Sequence, residues 1–94
     1  MEIKVKQTRE DPSWSFEVIV KENKTQTQHL VSMSKDFYNS LKTEKKPGEV
    51  IQETFLFLLD HEPKEAILNE FDISLVSHYF PKFKKVLIKK LNTS

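Results

Sequence analysis

The apolar residues of this chain change period near residue 34, and that switch restricts it to a sheet followed by helices. Before Ser34, β-branched and aromatic residues alternate with polar ones. Ile3 and Val5 form a short alternation. Trp14, Phe16, Val18 and Val20 form a clearer one, with Ile19 as its irregular member. Thr27, His29, Val31 and Met33 form a weaker third. A period of two marks half-buried strands. Asp11-Pro12 and Asn23-Lys24 supply the turns, because Pro presets its own backbone angle and Asn tolerates left-handed ones. The expectation for residues 1–33 is a three-stranded antiparallel meander with one wet face.

From residue 34 onward the spacing is helical. Ser34 is placed to cap a short helix over 35–42, with Asp36 in its first turn. Pro47 suits the first position of the next helix, where its missing N–H costs nothing. Val50, Ile51, Thr54, Phe55, Leu58 and Leu59 then form a broad apolar face, widened by Leu56 and Phe57. Glu62-Pro63 ends that helix, since a residue before Pro avoids the helical region. Pro63 is expected to open a further helix with Ala66, Ile67 and Phe71 on its inner side. Asp72 is expected to cap another, carrying Ile73, Val76, Tyr79 and Phe80. Beyond Pro81, the stripe of Phe83, Val86, Leu87 and Leu91 predicts a last helix. The whole is one α+β domain over 1–94, with the meander at 1–33 and four or five short helices from 34–94 packed on one face.

Composition narrows the chemistry. Ninety-four residues specify one domain, which buries roughly two-thirds of the surface its unfolded form exposes. At 37% hydrophobic and 31% charged, the chain lies outside the disordered class. It has no Cys, so disulfides and thiolate chemistry are excluded. The charged opening MEIKVKQTRED lacks the apolar core of a signal peptide, and no apolar run reaches the roughly 18 residues that span a bilayer. A soluble, cytoplasmic protein without integral membrane association is the expectation. Charge is uneven: residues 60–81 carry five acids against Lys64, whereas residues 82–94 carry five lysines and no acid. The plain reading is two solvated faces that attract each other within the fold or between subunits. The sharper one is a basic tail for an anionic partner.

The order of motifs resembles a known family. HLVSMSKDFYNSL follows the amino-terminal hairpin. From Pro47 comes Pro-x-Glu-Val-Ile-Gln-x-x-Phe-x-Phe-Leu-Leu, then Glu62-Pro63, Ile67-Leu68, Phe71-Asp72-Ile73 and Tyr79-Phe80-Pro81. Over most of its length the chain resembles a group of small uncharacterised bacterial proteins with the pattern fLLerEP…IL..FdL..I..YFPey. The resemblance implies bacterial origin and carries no activity, substrate or catalytic residue. After Pro81 the chain departs from the pattern, with Lys82, Phe83 and Lys84 in place of an acidic segment.

Catalytic and metal-binding signatures are sparse. Asp60, His61 and Glu62 are consecutive, and consecutive helical residues point about 100° apart, so they do not converge on one ion. His29 on a strand reads as a hydrogen-bonded or rim histidine, and His61 and His78 as surface groups. Ser32, Ser34, Ser74 and Ser77 lack a nucleophile elbow. Gly48, the only glycine, makes no phosphate-cradling loop. No catalytic residue, metal or cofactor is therefore expected.

Two binding readings follow. The first is a non-enzymatic interaction or regulatory module, with a homodimer as one form, because FLFLL and Tyr79-Phe80 offer surplus apolar surface. Its expected surface comprises Phe57, Tyr79, Phe80, Lys84, Lys85 and Lys89. The second is a DNA-binding regulator with a ribbon-helix-helix-like element at 25–61, in which Gln26 and Gln28 would read adenine. Lys24 is the single positive charge between 24 and 34, a poor footprint for phosphate contact.

Overall fold

The computed structural model describes residues 1–93. Strands β1 (Glu2–Arg9), β2 (Trp14–Glu22) and β3 (Thr25–Met33) form the expected antiparallel meander. A two-residue turn joins β2 to β3, with Asn23 in the left-handed region at φ 57°. Helices α1 (Lys35–Ser40) and α2 (Pro47–His61) follow. Ser34 accepts a hydrogen bond from the Phe37 N–H and so caps α1. Pro47 occupies the first turn of α2, and Glu49 accepts from the Lys46 N–H.

The sheet corrects the sequence reading. It has four strands in the order β1-β2-β3-β4 and is mixed. Strand β4 (Glu70–Asp72) runs parallel to β3, with Val31 in register with Phe71. The helix expected from Pro63 is only a single 3-10 turn at Lys64–Ala66. The physical reason is the far edge of β3. Its backbone needs partners, and the chain supplies them locally: the Leu30 N–H donates to the Asn69 carbonyl at 2.7 Å, and the Ile73 N–H donates to the Ser32 carbonyl at 2.9 Å. A helix across 63–71 would leave the Leu30 N–H and the Ser32 carbonyl without these partners. Helices α3 (Ser74–Tyr79) and α4 (Phe83–Leu91) complete the chain.

The helices cover one face of the sheet. Phe16, Val18, Val20, Val31 and Met33 point inward and are buried against Val50, Ile51, Phe55 and Leu58 of α2. Helix α4 docks through Phe83, Leu87 and Leu91, all buried, at the i, i+4, i+8 spacing of one stripe. The opposite sheet face stays largely open, with Lys4, Lys6, Lys21, Gln26 and Gln28 exposed on it.

Candidate functional site

The segment 58–80 builds a mostly apolar concavity. Helix α2 stops at His61 because Pro63 forces Glu62 into an extended conformation, with φ −153° and ψ 158°. The chain then turns under α2, buries Ile67, and leaves Leu68 outward before joining the sheet as β4. Asp72 launches α3, because its Oδ2 accepts from both the N–H and the hydroxyl of Ser74, at 3.0 and 2.6 Å. The result is an open groove of about 450 Å³ between the end of α2, the 62–69 loop, β4 and α3. Leu58, Ile67 and Val76 form its floor, and Leu68, Leu75, Tyr79 and Phe80 form its rim. Leu68 is 49% exposed and Tyr79 is 64% exposed. Glu62 is the only carboxylate in the lining.

The groove wall is held by a buried histidine. His29 has no solvent exposure, yet both ring nitrogens are satisfied. Its Nδ1 lies 2.8 Å from the Leu68 carbonyl, and its Nε2 lies 2.8 Å from the Thr27 hydroxyl. A carbonyl only accepts, so Nδ1 carries the proton and Nε2 accepts from Thr27. The Phe55 ring packs against the imidazole at 5.3 Å between centroids. Lys64 holds the other end of the same loop. It is 4% exposed, with Nζ 2.6 Å from Glu65 and 4.0 Å from Glu22 at the end of β2. The hydrogen bond from Lys64 is the main cause of a lowered Glu65 pKa.

The expected surface residues separate into three groups. Tyr79 and Phe80 do line the groove. Phe57 does not reach the surface: it is 8% exposed, wedged between Phe80, Phe83 and His61 at centroid distances of 5.6, 5.1 and 4.4 Å. That correction follows from α4 folding over α2 and covering the side of FLFLL on which Phe57 lies. Lys84 is partly drawn into the fold, its Nζ lying 5.5 Å from the Phe37 ring centroid. Lys85 and Lys89 remain exposed. The expected pairing of the basic helix with the acids of 60–72 is not made. Among the described residues, no ion pair links any lysine of 82–90 to Asp60, Glu62, Glu65, Glu70 or Asp72.

A second, polar depression lies on the open sheet face. Arg9 stands in register with Ser15, Ser15 with Ser32, and Ser32 with Asp72. The Ser32 hydroxyl donates to Asp72 Oδ1 at 2.7 Å. Burial alone would raise the Asp72 pKa, but the hydrogen bonds from Ser32 and Ser74 outweigh it and lower it. No histidine joins this row, so Ser32 has no base of suitable strength beside it. The outward parity of Ser15 and Ser32 was readable in the sequence, but Asp72 was expected as a helix cap, and its place in the row depends on β4. Among the described residues, no group of three or more His, Cys, Asp or Glu converges as a metal-ligand set. Nor is any described helix long and apolar enough to cross a membrane. No family model, curated protein or solved structure matches this chain.

Proposed function

We propose that this chain is a non-enzymatic interaction module that docks a protein segment in the groove rimmed by Leu68, Leu75, Tyr79 and Phe80. One observation carries the reading. A mostly apolar groove coincides with two of the most exposed large apolar side chains, Leu68 and Tyr79. Tyrosine over an apolar cleft supplies much contact area at small entropic cost, which is why it is enriched where interfaces concentrate their energy. The groove lacks a nucleophile with a neighbouring base, so binding rather than turnover is its natural chemistry.

The DNA-binding alternative requires β3 to pair with its copy across a dimer. β4 occupies the far edge of β3 at Leu30–Ser32, which leaves only Thr25–His29 for such a ribbon. Gln28 also donates to Glu17 at 3.0 Å on the open face. The groove reading is therefore the one we carry forward.

The test is panning of a displayed random-peptide library against the folded chain, followed by amide chemical-shift mapping of the enriched peptides. Enriched peptides should carry large apolar residues and should shift Leu68, Leu75 and Tyr79. Shifts confined to the open sheet face, or no enrichment, would overturn the reading.

A further inference from the structure

We infer that the occupant of this groove is a second copy of the chain, docked about a twofold axis through Tyr79 and Leu68 and oriented by the basic face of α4. The inference rests on the groove reading above and adds the identity of the partner. Its basis is charge that the single chain leaves unmatched. Asp60 lies in the last turn of α2 and Glu62 caps that helix in the groove lining, and neither takes part in an ion pair among the described residues. Lys82, Lys85 and Lys89 follow one another at i, i+3 and i+7, opposite the buried stripe of Phe83, Leu87 and Leu91. Residues three or four apart share a helix face, so these lysines form one exposed basic strip. They too are unpaired among the described residues.

A twofold interface places the same patch on both sides, so a patch can only pair with itself if it is self-complementary. This one has the required parts. Tyr79 projects from the rim while the cleft between Leu68, Leu75 and Ala66 recedes beside it, a knob and a hole on one surface. α4 follows α3 after only three residues, Phe80 to Lys82, so the basic strip begins next to the apolar groove. In a twofold pair the Tyr79 ring of each copy enters the cleft of the other. The α2 terminus of each copy then faces the α4 strip of its partner. The charges select the orientation and speed the encounter, and the apolar centre supplies the affinity.

The test is sedimentation velocity on the whole chain across a wide concentration range, at low and at physiological salt. The wild type should self-associate, and more weakly at higher salt, because exposed charges are screened. Asp60→Lys with Glu62→Lys should weaken association by about tenfold or more, as should Lys85→Glu with Lys89→Glu, since each places like charges in opposition. Mixing the two double variants should restore a one-to-one heterodimer, because each then meets the opposite charge at both contacts. Circular dichroism and melting temperature confirm that both variants remain folded. Tyr79→Ser should abolish association in all backgrounds. A wild type that stays monomeric at every concentration, or charge variants that associate as well as wild type, would overturn the inference. Peptide shifts in the groove with a monomeric wild type would defeat the second copy alone and leave the docking groove standing. A chain that neither associates nor binds peptides would defeat both.

Discussion

His29 on β3 and Leu68 on the loop before β4 are joined by a 2.8 Å hydrogen bond from imidazole Nδ1 to the main-chain carbonyl, across 39 residues of sequence. The bond pins the rim of the groove to the middle of the sheet. Thr27 fixes the ring from its other nitrogen, and Phe55 packs against it. His29→Leu should therefore leave the Leu68 carbonyl without its histidine partner, at a cost of about 1–3 kcal/mol. Chemical denaturation measures the loss. Hydrogen exchange should show faster opening of the 67–70 backbone than of β2. Unchanged protection at Leu68 to Glu70 would show that the loop is held by other contacts.

α2 is the spine of the core. Phe55 has no exposure and touches both His29 and Phe71, while Leu58 is 4% exposed on the groove floor. Phe55→Ala should cost about 3–5 kcal/mol, and Leu58→Ala about 2–5 kcal/mol, as for other buried large-to-small changes. Those losses are a large share of the total for a domain of this size. A denaturation midpoint unmoved by both would contradict the packing described.

Asp72 makes stability depend on acid. Its hydrogen bonds with Ser32 and Ser74 lower its pKa in the folded state against the opposing pull of burial. The folded value lies below the unfolded one, so the contribution is complete above the unfolded Asp value of about 3.9 and fades as pH falls through the folded value. Much of the carboxylate is solvated, which reduces the effect. Asp72→Asn should flatten the loss of stability below about pH 4 and slightly lower stability at neutral pH. Melting curves from pH 2 to 7 provide the comparison, and identical acid limbs would sink the assignment.

Lys42 follows the end of α1 with φ 51°, in the left-handed region where helices usually place glycine. A side chain there costs about 1–2 kcal/mol, and glycine forfeits about 0.5–1 kcal/mol in chain entropy. Lys42→Gly should thus be neutral or stabilising by up to about 1 kcal/mol. Lys42→Val should be clearly destabilising, because a β-branched residue tolerates positive φ poorly. The reverse order of melting temperatures would refute the backbone argument.

Much of the local structure was legible because its causes are local. Alternation at Phe16, Val18 and Val20 marks a strand through neighbours two apart. Ser34 and Pro47 mark helix starts through bonds made within one turn. Pro63 and Pro81 interrupt helices through their own rings. Tyr79 and Phe80, beside the chain break at Pro81, line the groove. What misled the sequence reading was non-local. Ala66, Ile67 and Phe71 have helical spacing, yet the open edge of β3 drew Glu70–Asp72 into the sheet. Phe57 looked surplus on a helix apolar almost all round until α4 covered it.

The sequence by itself therefore determined β1 to β3, the starts of α1 and α2, the stops at Pro63 and Pro81, and the apolar stripes of α2 and α4. Those are properties of periodicity, capping and proline geometry, and they need no partner. The tertiary structure alone decided the fourth strand, the burial of His29, Lys64 and Phe57, and the alignment of Ser15, Ser32 and Asp72. Each of these depends on which distant backbone or side-chain group lacks a partner once the layers close. The rule is general, because a buried polar group or an uncovered apolar one must be matched, but the identity of the match is set only by three-dimensional proximity.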